Sequence, residues 1–82
     1  MKREKILDKI LSGSKNIAFA DFVNLIEGYG FELSRTKGSH QIFKHKEIVE
    51  LVNLQNADGQ VKPYQIKQFL ELIEKYNLIL ED

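Results

Sequence analysis

Phe31-Glu32-Leu33-Ser34-Arg35-Thr36-Lys37-Gly38-Ser39-His40-Gln41-Ile42-Phe43-Lys44-His45, residues 31–45, is the stretch on which the fold turns. Phe31 to Arg35 alternates apolar and polar side chains, the period of a strand with one buried face. Lys37-Gly38-Ser39 is a turn signal, and His40 to His45 forms a second strand. So short a connection requires an antiparallel hairpin. Within the second strand His40, Ile42 and Lys44 point one way, and Gln41, Phe43 and His45 the other. If Phe43 packs inward, His40 and Lys44 share an open face with Ile42 between them.

Outward from the hairpin, Ile48 to Leu54 is rich in Val, Leu and Ile and predicts a third strand, followed by a loop at Asn56-Ala57-Asp58-Gly59. The flanks carry helical periodicity. Ile6, Leu7, Ile10 and Leu11 predict an amphipathic helix over residues 3–12, stopped at Ser12-Gly13-Ser14. Phe22, Leu25, Ile26 and Tyr29 mark a second helix from Phe19 to Tyr29, with Gly30 suited to a left-handed cap. Pro63 suits the first turn of a third helix, whose face is Ile66, Phe69, Leu70, Ile73 and Tyr76, through to Asn77. The order α-α-β-β-β-α predicts an α+β fold: a three-stranded antiparallel sheet with helices packed on one face. The other face is then at least partly open to solvent. At 82 residues a single domain is expected, residues 1–15 supplying a helix and link and residues 16–82 the core.

Composition narrows the chemistry. There is no cysteine, so disulfides, thiolate zinc sites and cysteine nucleophiles are excluded. His40 and His45 lack a carboxylate or thiol in supporting spacing, so no metal or other cofactor is expected. The chain begins Met1-Lys2-Arg3-Glu4-Lys5 with no apolar signal core behind it, and no apolar run could span a bilayer. A cytoplasmic protein without membrane partners is expected. Lys plus Arg and Asp plus Glu balance at 12 each, but they are unevenly spread. Arg35, Lys37, Lys44 and Lys46, with His40 and His45, occupy an acid-free stretch. Lys62 and Lys67 occupy another. Acids collect at Glu71, Glu74, Glu81 and Asp82. A local basic stripe is therefore compatible with zero net charge.

His40 is the residue best able to move protons near neutral pH. RNA carries its own nucleophile, the 2′-hydroxyl, so one positioned acid or base plus cations suffices for phosphodiester cleavage. Lys37, Lys44 and Lys62 are candidates to stabilise the phosphorane, with Arg35 in the same stripe. Gly38 lets backbone approach a phosphate, and Ser39 offers a hydroxyl. The plainer alternatives are a turn role for Gly38, a solvated loop charge at Lys62, an exposed strand end at His45, and core or core-edge places for Tyr64, Phe69 and Tyr76. No Gly-rich phosphate loop precedes a helix.

The ordered segments Gly30-Phe31, Arg35 and Gly38-Ser39-His40-Gln41-Ile42-Phe43 resemble the HicA (YcfA-like) toxin family. So do Val52-Asn53-Leu54-Gln55 and Val61-Lys62-Pro63-Tyr64-Gln65-Ile66-Lys67-Gln68. Lys9-Ile10-Leu11-Ser12-Gly13 and Phe19-Ala20-Asp21 look like a longer branch of that family, so the likeness runs over nearly the whole chain. Two positions depart from the common pattern: Gln41 stands where a second His is frequent, and Lys46 where a Pro often follows. The resemblance implies a fold similar to double-stranded-RNA-binding domains and a ribosome-independent, metal-independent mRNA endonuclease with His40 as catalytic residue. RNA contacts would come from Arg35, Lys37, Gly38, Ser39, Lys44 and Lys62. It further implies a HicB-like antitoxin as partner, a free toxin that is monomeric, and an oligomeric complex with the antitoxin. Two alternatives use the same fold: a non-catalytic RNA-binding module, and a catalytically silent protein that binds only the antitoxin.

Overall fold

A computed structural model describes residues 2–81; Met1, and Asp82 of the acidic C-terminal group, lie outside the described residues. The elements are α1 (Arg3–Leu11), α2 (Phe19–Gly28), β1 (Glu32–Lys37), β2 (His40–His45), β3 (Ile48–Gln55) and α3 (Pro63–Tyr76). The strands form one antiparallel sheet in the order β1-β2-β3. This is the expected α+β architecture, consistent with the double-stranded-RNA-binding-domain-like fold.

Alternation and periodicity place the core. Phe43 of β2 and Val52 and Leu54 of β3 face inward and are buried with Ile6, Ile10, Phe22, Leu25, Ile26, Ile66 and Phe69 of the helices. Phe69 is the hub: its ring meets Phe22, Tyr29 and Phe31 edge-on, with centroids 5.4, 5.6 and 5.7 Å away. Such edge-to-face contacts add to the area that each ring buries. Leu11, expected on the core face of α1, is instead exposed. It is the last helical residue, and the chain turns away at Gly13 with φ +94°.

The helix ends use the predicted devices. Gly30 adopts φ +95° just past α2, while Phe31 N–H returns to Ile26 O at 3.2 Å. Asn77, at φ 51°, terminates α3 in the same left-handed conformation, and Leu78 N–H reaches Ile73 O. Two connecting segments tie together, with Phe19 N–H bonded to Gly59 O and Val61 N–H to Ile17 O. Ile17 and Val61 are buried where those segments meet.

The hairpin differs from expectation in length. β1 runs through Lys37, and Lys37 pairs with His40. Only Gly38 and Ser39 form the turn. Gly38 has φ +59° and Ser39 is not among the residues with positive φ, the sign pattern of a type II′ turn. Two irregularities interrupt the regular pairing of the strands. Ser34 is an extra residue between the pairs Leu33↔Phe43 and Arg35↔Ile42. In β3, Val49 to Leu51 lie against the single residue Lys44. Val49 and Leu51, although apolar, alternate with Val52 and Leu54 and so lie exposed on the open face with Asn53, and Leu33 is half-exposed on the edge strand β1.

The N-terminal helix has a structural task. Arg3 Nε donates to Asn24 O at 2.9 Å and to Asn24 Oδ1 at 3.0 Å, and Arg3 Nη1 reaches Glu81 O at 3.1 Å. Glu81 N–H in turn bonds Gly28 O. α1 and the C-terminal segment thus close over the end of α2, where a Cβ on Gly28 would stand 2.6 Å from Arg3 Cδ.

Candidate functional site

The register assembles one row on the open face of the sheet. His40 lies opposite Lys37 on β1 and Gln55 on β3, and the next pairs on that face are Ile42 with Arg35 and Ile42 with Asn53. Arg35, Lys37, His40 and Asn53 are all exposed. His40 is therefore flanked by cations on one side and by neutral amides on the other. The hairpin turn presents Gly38 and Ser39 beside it, and Ser39 O accepts a hydrogen bond from Asn56 N–H at 3.0 Å. A side chain at Gly38 would meet nothing within 4 Å, so backbone conformation rather than crowding calls for glycine there.

His40 is held by one side chain, its Nδ1 lying 3.1 Å from Asn53 Oδ1. Asn53 escaped functional notice in the sequence, although inward-facing Val52 and Leu54 place it on the open face. Its own backbone is fixed from α3. Gln65, only 5% exposed, donates Nε2–H to Asn53 O at 3.3 Å and accepts Gln55 N–H on Oε1 at 3.4 Å. The legible signal was a polar residue on the apolar face of α3, four positions before Phe69.

The other expected residues divide. Lys44 lies on the open face but faces Glu32 across the β1–β2 pairing, so the acid-free stretch of sequence is not acid-free in space. Lys62 is the N-cap of α3, partly buried, on a different element from the strands that carry the other cations. Among the described residues, no three His, Cys, Asp or Glu side chains converge in a way that could hold a metal ion.

His45 is not the exposed strand-end residue that its position suggested. It is half-buried, its ring edge-on to Phe31 with centroids 5.1 Å apart. Nδ1 accepts Glu47 N–H at 3.1 Å, and Nε2 lies 3.1 Å from Tyr29 O. The backbone N–H can only donate, so the ring proton sits on Nε2 and goes to the Tyr29 carbonyl. Both nitrogens are thereby committed to structure. Tyr64 is exposed at the start of α3, Phe69 is core, and Tyr76 donates its hydroxyl to Glu50.

Comparison with known proteins gives one family. A model described as HicA toxin of bacterial toxin-antitoxin matches residues 19–74, more than half of the chain. The match starts at α2 and stops within α3, so α1 and the closing segment that Arg3 binds lie outside it. No curated protein and no solved structure matches the chain. No helix among the described residues is long and apolar enough to cross a membrane.

Proposed function

The chain belongs to the HicA toxin family of bacterial toxin-antitoxin systems, and on that footing we propose that it is an endoribonuclease that cleaves mRNA at His40. The observation that carries the proposal is the placement of His40: exposed on the open face, opposite Lys37, with one ring nitrogen already engaged by Asn53. Nε2 is the nitrogen left for substrate. It takes the proton of a 2′-hydroxyl as that oxygen bonds to phosphorus and the P–O5′ bond breaks. The imidazolium so formed returns the proton to the departing 5′-oxygen. Lys37 and Arg35 stabilise the added phosphorane charge, and Gly38 and Ser39 bring backbone close to the phosphate. No metal enters this route, and its products end in a 2′,3′-cyclic phosphate and a 5′-hydroxyl.

A HicB-like antitoxin restrains the activity by covering the same face. Strongly exposed Val49 and Leu51 offer it apolar contact beside the basic row. The free toxin acts as a monomer in the cytoplasm and enters a larger complex with its antitoxin.

The test pairs expression of wild-type and His40→Ala protein, following growth and total mRNA, with cleavage by the purified proteins. Growth arrest and mRNA loss with wild type alone are expected. Equal cleavage by His40→Ala removes His40 from the chemistry. Loss of wild-type cleavage on adding a chelator removes the metal-free route, as does cleavage at a position where the scissile nucleotide is 2′-deoxy.

A further inference from the structure

We infer that Asn53 is a positioning residue that keeps His40 protonated on Nδ1, so that every proton His40 exchanges passes through Nε2. This rests on the assignment of His40 as the acid-base group. A carbonyl oxygen accepts and cannot donate, so the 3.1 Å contact between Nδ1 and Asn53 Oδ1 requires hydrogen on Nδ1. The opposite amide orientation, Nδ2–H donating to a bare Nδ1, would be lost whenever the ring becomes an imidazolium. With Oδ1 facing the ring, the bond persists in both protonation states. It is therefore the orientation compatible with a ring that gains and loses a proton in each turnover.

The surroundings fit that task. β3 is an edge strand, yet Gln65 pins it at Asn53 O and Gln55 N, the two residues that flank His40. The charged groups sharing the face are Lys37, Arg35 and Lys44, with Glu32 opposite Lys44. β3 contributes only the uncharged amides of Asn53 and Gln55 next to the ring. Asn53 thus directs the imidazole without adding charge to it. His45 provides an internal contrast, because Glu47 N–H and Tyr29 O fix its proton on Nε2. One chain then holds its two histidines in opposite tautomers.

Long-range 1H–15N correlation of the imidazole rings in the full chain, at a pH where both are neutral, tests this directly. His40 is expected as the Nδ1–H form and His45 as the Nε2–H form. In Asn53→Ala, His40 should revert to the Nε2–H form that free imidazole favours, while His45 stays unchanged and reports an intact fold. Asn53→Asp, whose carboxylate also accepts, should restore Nδ1–H. Cleavage by Asn53→Ala should fall about tenfold to a hundredfold in kcat at constant KM, less than the roughly 10²–10⁴ of a whole acid-base group. An Nε2–H wild-type His40, or a tautomer indifferent to Asn53→Ala, overturns the inference even if His40→Ala is inactive. Conversely, the expected tautomers together with an active His40→Ala leave the positioning intact and overturn only the nuclease assignment.

Discussion

His40 Nδ1 and Asn53 Oδ1 stand 3.1 Å apart across the β2–β3 pairing, and the strand that carries Asn53 is fastened to α3 by the buried amide of Gln65. That amide satisfies one donor and one acceptor on an edge that has no neighbouring strand. Gln65→Leu keeps similar bulk and leaves both backbone groups unpaired. It should lower unfolding stability by about 1–3 kcal/mol, the penalty for unsatisfied part-buried polar groups. Urea titration gives the number. A change within 0.3 kcal/mol, roughly the resolution of such comparisons, means that water replaces the staple without loss.

Gly30 and Gly38 both have positive φ, but only one is crowded. An added Cβ at Gly30 would lie 2.8 Å from His45 Nε2, a nitrogen committed to Tyr29 O, whereas at Gly38 it meets nothing within 4 Å. Gly38→Ala should therefore lose only the backbone term, about 1–2 kcal/mol. Gly30→Ala should lose that plus about 1–3 kcal/mol for overpacking the half-buried ring. Thermal or denaturant unfolding of the two variants ranks them. Equal losses would mean that the His45 ring moves aside freely.

Much of this arrangement was legible in residues 31–45. Alternation and one glycine define a hairpin, and inward Phe43 then forces His40 outward. The strand bulges were not legible, because an extra residue such as Ser34 is set by pairing across strands and leaves no local mark. Nor was the burial of His45, which depends on space above Gly30, fifteen positions earlier. Lys44 belonged to an acid-free run of sequence, yet the sheet register brings Glu32 opposite it. Asn53 was recoverable from the alternation of Val52 and Leu54. Gln65 stood out as a polar residue on an apolar helix face, but its partners on β3 could come only from the packing.

The last turn of α3 is bound to β3 through Glu50, whose carboxylate accepts Tyr76 Oη–H at 2.5 Å and a bond from Lys75 Nζ at 3.1 Å. The Tyr76 hydrogen bond, followed by that of Lys75, holds the Glu50 carboxyl below its ordinary value. Between the folded and unfolded pKa values the unfolded chain binds more protons, so stability rises with pH there. The contribution is fully present above the ordinary glutamate pKa of about 4.3 and is lost as pH falls through the folded value. Tyr76 behaves in mirror fashion: its hydrogen bond to Glu50 raises the phenol pKa. Its share is present below the ordinary tyrosine value of about 10 and is lost as pH rises through the folded one. Denaturation midpoints of wild type and Glu50→Gln across acid pH should converge toward the acid end. A constant gap down to the lowest pH rejects the linkage.

The register also separates the cations that should matter for RNA. If Lys37 and Arg35 each neutralise a phosphate, then replacing either with Ala should weaken single-stranded RNA binding. It should also reduce the slope of log affinity against log salt by about 0.7 per phosphate lost. Lys44→Ala should change the slope less, because Glu32 already faces that cation, and Lys62→Ala less again, because Lys62 is partly buried at the start of α3 and is not in the sheet row that carries Arg35, Lys37 and His40. The distinguishing variant is Glu32→Gln: removing the carboxylate opposite Lys44 should free that charge, strengthen binding and steepen the slope. Binding measured by anisotropy over a salt series, in the His40→Ala background so that RNA survives, gives all five slopes. A steeper loss for Lys62→Ala than for Lys37→Ala would move the RNA track from the open sheet face toward the start of α3.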